Sequence, residues 1–308
     1  MMKKKVYFLV ACLGLCSANL LSQQVADTSY NPVIPKPEYA IGKGPLVLLD
    51  EGHNNFHTAD GRYLPFARLL KADGYIVKGS KGEFKTSHLM NVRILVIANA
   101  LNKINVQNWY LPTPSAFTEK EIGILQKWVK KGGSLFLIAD HMPMGGAAAD
   151  LASAFGFRFT NGFAVDTSSQ GPAYFYRKDS TLLTCSLTDG RNASEAINKV
   201  VTFTGQAFQS PPEATTILSF NQKYLLLESD TAWVFNSKTR FTQIKGWSQG
   251  SYMNYAKGRL VMFGEAAMFT AQLAGESKTS VGMNSPFADE NYRLLLNIIH
   301  WLDRRIDY

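Results

Sequence analysis

The stretch from Thr118 to His141, TEKEIGILQKWVKKGGSLFLIADH, contains a complete helix-to-strand unit. Thr118 followed three residues later by Glu121 forms a capping box, in which hydroxyl and carboxylate each take an N–H that a helix start leaves unpaired. Ile122, Leu125, Trp128 and Val129 recur at helical spacing and make one apolar face. Lys130 and Lys131 suit the negative end of the helix dipole, and Gly132-Gly133 ends the helix. The spacing predicts a helix over 119–131. Leu135-Phe136-Leu137-Ile138-Ala139 is then a short continuous apolar run, as expected for a strand buried on both faces, and it leads into Asp140-His141.

The same pattern occurs upstream. Leu46-Val47-Leu48-Leu49 predicts a strand near 45–50 that leads into Asp50-Glu51-Gly52-His53-Asn54-Asn55-Phe56-His57. A helix is expected over 63–73, with Pro65 tolerated in its first turn and Gly74 closing it. A short strand at 75–78 and a strong one at 93–98 follow, then a long loop at 99–116 carrying Trp109 and Tyr110. Ala147 to Phe155 predicts another helix. From about 157 to 245 short β-like runs separated by Gly, Pro and Asn predict antiparallel strands. A hairpin then leads into Leu260-Val261-Met262-Phe263-Gly264-Glu265, a third apolar run reaching an acid. Tyr292, Leu295, Leu296, Ile299 and Leu302 share one face of a last helix over about 289–302. Alternating helices and buried strands define an α/β chain with a doubly wound, mostly parallel sheet and an antiparallel β-rich insertion.

In open parallel sheets, ligands bind beyond the carboxyl ends of the strands. Three runs here end in acid or histidine, and three of the five histidines lie in the first two clusters. The candidate catalytic residues are therefore His53, His141, Glu51, Asp140 and Glu265. Arg62, Asn55, His57, Tyr63 and Trp109 are candidates for holding substrate. Imidazole and carboxylate together can serve as base and acid near neutral pH. They can equally bind a divalent metal, although the sequence holds no tight ligand motif and leaves the metal and its ligands unassigned. Gly145-Gly146, at a helix entry, is expected to serve the turn rather than an anion. His88 and His300 are read as surface or packing residues.

The 308 residues suffice for one large domain. Met1-Met2-Lys3-Lys4-Lys5 and the apolar stretch from Val6 to Leu21 read as a secretory signal, too short and poorly flanked to span a membrane. The expected organisation is a signal over 1–22, an extended proline-bearing lead-in over 23–44, and one domain over 45–308 with its insertion at about 157–245. Leu9-Val10-Ala11-Cys12 also offers a lipoprotein anchor at Cys12. The expected location is exported, periplasmic or secreted. Cleavage after Ser22 removes three lysines and no acid, lowering the formal net charge from +8 to +5. This mildly basic balance favours anionic partners, and without a basic stripe or known motif nucleic acid is not expected. Cys185 alone remains after cleavage, which leaves no intramolecular disulfide.

The Glu51-to-His57 segment, the Trp128-to-His141 stretch, Phe263-Gly264-Glu265-Ala266-Ala267-Met268-Phe269 and the Asn297-to-Leu302 helix together resemble an uncharacterised bacterial domain family. That family is similar in fold to the class I glutamine amidotransferases. The resemblance covers roughly 45–160 and 246–303, and it implies that the three strand ends are neighbours. Amidotransferases carry a cysteine on the turn after the central strand and a downstream His-x-Glu pair. Here that turn is Asp140-His141-Met142-Pro143, Cys185 lies in the insertion, and no His-x-Glu occurs. Glutamine hydrolysis is therefore not expected. A Gly-x-Ser-x-Gly elbow is also absent.

Export, a basic balance and an acid/histidine crevice without a nucleophile lead to three expectations. The first is a carbohydrate-active lyase or dehydratase on uronic-acid-containing oligosaccharides. In it His53 or His141 takes the C5 proton, Glu265 or Glu51 assists the leaving group, and Arg62 holds the carboxylate. The second is metal-assisted hydrolysis of a glycan or ester. The third is a non-catalytic envelope domain that binds a ligand.

Overall fold

The computed structural model describes residues 24–307. The expected signal and the Cys12 anchor lie outside the described residues. The architecture is mixed α/β, with one large mixed sheet and further small antiparallel sheets.

Nine strands form the large sheet: β1 (Leu46–Asp50), β2 (Ile76–Ser80), β3 (Val92–Ala98), β4 (Ser134–Ile138), β5 (Arg158–Phe159), β6 (Phe208–Gln209), β7 (Thr215–Ser219), β8 (Ser248–Tyr255) and β9 (Gly258–Phe263). Their order is β2-β1-β3-β4-β9-β8-β6-β5, with β7 also paired to β8. The first five in this order run parallel, and β8 turns back antiparallel on β9. Ala98, Ile138 and Phe263 stand side by side in register, so β3, β4 and β9 reach their carboxyl ends together.

Four longer helices cover the two faces: α1 (Leu64–Ala72), α2 (Glu119–Lys130), α3 (Met144–Ser153) and α4 (Asn291–Leu302). Alternation along β1, β3 and β4 separates two cores. Val47, Ile94, Val96 and Phe136 pack with α1 and α4 on one side. Leu48, Leu95, Leu135 and Leu137 pack with α2 and α3 on the other. Burying apolar side chains on both faces is what a continuous apolar strand requires.

The expected elements occur with end shifts of up to three residues. The capping box of α2 is present, with Thr118 and Glu121 each bonded to the other's backbone N–H. Pro65 sits in the first turn of α1, and Gly74, at φ 92°, closes it. α3 begins at Met144, three residues before the expected start, and takes in Gly145-Gly146. A side chain at Gly145 would meet the Thr160 carbonyl, and one at Gly146 the Thr113 hydroxyl, so both glycines permit close approach.

Within the extended lead-in, Gln24–Ala26 pairs antiparallel with Ala271–Ala274. The 157–245 segment holds antiparallel strands. Its strands β5, β6 and β7 extend the main sheet, while Phe163–Asp166, Tyr224–Glu228 and Arg240–Gln243 form a separate three-stranded sheet.

Candidate functional site

The carboxyl ends of β1, β3, β4 and β9 present Asp50, Asn99, Asp140 and Glu265. Asn99 adopts φ 49°, a left-handed conformation that asparagine tolerates better than most residues. Its side-chain oxygen accepts the Asp140 backbone N–H at 2.8 Å and fixes the turn after β4.

His53 does not occupy the position expected of a base. Its Nδ1 is 2.9 Å from both Asp50 carboxylate oxygens, and its Nε2 is 2.9 Å from Glu121 Oε1. Carboxylates only accept, so the ring holds both protons and is an imidazolium. Phe84 stacks on it at 4.6 Å and Phe117 at 4.7 Å. Burial opposes the charged ring, but Asp50 and Glu121 outweigh it and hold the His53 pKa above its ordinary value. Burial would raise Glu121, yet the Thr118 N–H, His53, the Thr118 hydroxyl and the Phe84 N–H bring it down to about 2. With neither ring nitrogen available, His53 clamps the loop after β1 to the start of α2.

Two further candidates serve that same loop. Asn55 donates to Asp50 Oδ2 at 3.0 Å and accepts the His53 N–H at 3.0 Å. Glu51 accepts the Ala59 N–H at 2.9 Å and lies over Gly79, toward β2 and away from Asp140. Asn55 thus braces the loop rather than meeting substrate, and Glu51 anchors it rather than serving as acid.

Glu265 and Asp140 are both buried, at the carboxyl ends of β9 and β4. Glu265 is 1% exposed, and its two oxygens accept the N–H groups of Ala267 (2.9 Å) and Met268 (2.8 Å). Burial, joined by the Asp140 charge, outweighs those donors and pushes its pKa well above the ordinary carboxylate value. That direction favours the protonated form of Glu265, the form that can deliver a proton. Tyr63, expected at the substrate, is fully buried; its ring stacks on Phe66 and its hydroxyl donates to the Ala266 carbonyl at 3.2 Å. It packs behind the acids, and burial pushes its own pKa well above the ordinary value.

His141 is buried beside Asp140, with Nδ1 donating to the Met142 carbonyl at 2.7 Å. That bond fixes the tautomer and leaves the Nε2 lone pair as the basic position. Phe163 stacks on the ring at 4.4 Å, Trp233 meets it edge-on at 4.6 Å, and Trp109 stands 6.3 Å away. Burial, only partly offset by Asp140 and the Met142 carbonyl, lowers the His141 pKa, so the ring is neutral at pH 7.

Arg62 brings a cation to the loop after β1. The Arg62 guanidinium lies 3.9 Å over the Phe56 ring, which meets Trp109 at 5.5 Å. Its Nε is buried without a hydrogen-bond partner, and no carboxylate pairs with it among the described residues. His57 stands beside it, 4.6 Å from the Tyr63 ring, with a buried Nδ1 that also has no partner. Burial and the Arg62 charge push His57 down to about 3. Such unmet buried polar atoms are uncommon and call for a ligand or a water.

The structure thus brings together Asp140, Glu265, His141, His57, Arg62 and Trp109, and assigns His53, Glu51, Asn55 and Tyr63 to support. Among the described residues, no group of three His, Cys, Asp or Glu side chains is placed to hold a metal ion. His300 is packed as expected, its Nε2 2.6 Å from the buried Asp73 carboxylate, and His88 is exposed. Trp233, Phe163 and Glu121 enter the site without having been singled out. Trp233 and Phe163 lie within the loosely patterned insertion, whereas the early glutamate of the capping box was a usable signal for Glu121.

No family model matches the chain, and a search of the curated proteins gives no match. Solved structures do match. The mmIFT52 N-terminal domain superposes with a TM-score of 0.59 at 15% identity, covering 83% of this chain and 97% of that domain. A ThuA-like protein from Bacteroides uniformis gives 0.46 at 11% identity, covering 88% and 94%. A GMP synthase-type protein from Thermoplasma acidophilum gives 0.44 at 12%, covering 85% and 95%. At these identities the likeness concerns the fold alone. Among the described residues no helix is long and apolar enough to cross a membrane.

Proposed function

We propose that the chain is an exported carbohydrate-active enzyme, built on an amidotransferase-like frame, that eliminates across C4–C5 of a uronic acid at the end of an oligosaccharide. The observation carrying this reading is the unpaired Arg62–His57 pair, linked through Phe56 and Trp109 to a neutral His141 that adjoins the Asp140–Glu265 acids. Arg62 receives the substrate carboxylate and so acidifies the adjacent C5 proton. His141 Nε2 takes that proton. The C5–H electron pair becomes the C4–C5 double bond, the C4–O bond breaks, and the departing oxygen takes the Glu265 proton. Trp109 and Trp233 supply apolar faces for the sugar ring. Of the expected alternatives, His141 rather than His53 serves as base, because both His53 nitrogens are engaged, and Glu265 rather than Glu51 serves as acid, because Glu51 holds the Ala59 N–H over Gly79.

The test is ultraviolet absorbance of the protein mixed with uronate-ended oligosaccharides, with and without chelator. A rising signal from the conjugated double bond, lost in His141→Gln and retained in chelator, supports the reading. Chelator-sensitive turnover without that absorbance indicates metal-assisted hydrolysis. Saturable binding without turnover indicates a ligand-binding domain, a reading favoured by the low exposure of the acids: 9% for Asp140 and 1% for Glu265.

A further inference from the structure

A second charged feature lies at the opposite end of the parallel strands. Arg93 sits near the start of β3, Lys131 just precedes β4, Lys257 and Arg259 bracket the start of β9, and Arg304 follows α4. These side chains line a surface depression of about 510 Å³ in which five lining residues are cationic and none is acidic. The intervening strands are five to seven residues long, which separates the depression from the crevice by roughly 20 Å.

The arginines are held in place more than they are neutralised. Arg304 donates to the carbonyls of Gly132 and Lys257. Arg259 lies 4.7 Å over the Trp301 ring, donates to the carbonyls of Trp301 and Ile306, and pairs with Asp307 at 2.6 Å. Arg93 pairs with Asp303 at 2.9 Å, a carboxylate that also takes the Tyr39 and Tyr75 hydroxyls. Two carboxylates therefore serve five cations. Lys131 and Lys257 are exposed and have no carboxylate partner among the described residues. Burial and repulsion from Arg259 and Arg93 disfavour the Arg304 charge, a strain that a bound anion would relieve.

We propose that this depression is a second binding site, for a ligand bearing sulfate or phosphate ester groups. Arg304, held by backbone carbonyls, and the two exposed lysines carry charge with no carboxylate partner among the described residues, and an oxyanion can accept from all three. The site is independent of the proposed elimination chemistry: it lies on the other end of the sheet and shares no residue with the crevice.

The test is isothermal titration of the full chain with inorganic phosphate, inorganic sulfate, a sulfated disaccharide and its unsulfated counterpart. Saturable binding of a charged probe but not of the unsulfated disaccharide is expected, weakening as salt is added. The exposed pair Lys131→Gln and Lys257→Gln together should weaken it about tenfold. Uronate turnover and melting temperature should not change. Tighter binding of the sulfated disaccharide than of phosphate assigns the ligand to a sulfated glycan, and the reverse assigns it to a phosphate ester. No saturable binding of any charged probe overturns the proposal, as does binding that the double variant leaves intact.

Discussion

Replacing Glu121 by Gln tests the claim that His53 is a clamp and not a base. One Glu121 oxygen accepts from His53 Nε2 and the Phe84 N–H, both at 2.9 Å. The other accepts from the Thr118 N–H at 3.0 Å and the Thr118 hydroxyl at 2.7 Å. A glutamine keeps one accepting oxygen and turns an NH₂ toward donors on the other side. The 3% exposed carboxylate falls from 4.5 to about 2 in the folded protein, equivalent to about 3 kcal/mol of stability. A depressed carboxylate contributes fully above its unfolded value and loses that contribution as pH falls from 4.5 toward 2. His53 has the opposite sign: raised above 6.5, it contributes below that value and loses its contribution as pH rises through its folded pKa. The pair therefore contributes most at about pH 5.5. Denaturant unfolding there should show Glu121→Gln less stable by about 3 kcal/mol, with the gap closing toward pH 2. The folded variant should retain turnover. A gap under about 1 kcal/mol, or one that does not close in acid, refutes the clamp.

Four further outcomes follow from the proposed site. His141→Gln should lower kcat by about 10²- to 10⁴-fold with little change in melting temperature, measured by absorbance on a uronate substrate. The pH profile of kcat/KM should rise through a pKa below 6.5 as His141 loses its proton, and an acid limb centred above 6.5 contradicts the assignment. Glu265→Gln should abolish proton delivery and lower unfolding free energy by about 1–3 kcal/mol, because both carboxylate oxygens accept backbone N–H groups and the amide turns an NH₂ toward one of those donors. Arg62→Gln should raise KM for a uronate much more than for the corresponding neutral sugar, and equal effects on both would remove Arg62 from carboxylate recognition.

The frame was legible because local and tertiary demands agree. The α2 capping box, the Gly132-Gly133 stop and the apolar runs of β1, β3, β4 and β9 specify their elements without distant help. The edge of the frame was less legible. β5 and β6 are two residues long each, and β7 joins β8 with register shifts, so no period forms that could assign them to the main sheet. In the site, sequence order located the acids and histidines but not their directions. Asp50 and His53 are three residues apart and bond to each other, which spacing alone cannot separate from a shared reactive crevice. His141 differs from His53 in its partners: one carbonyl and an aromatic cage against two carboxylates. That contrast in environment sets one imidazole neutral and the other charged, and it depends on Glu121, which comes from a helix 68 residues away. Two similar histidine clusters therefore take different partners only when α2 packs beside β1 and brings Glu121 to His53.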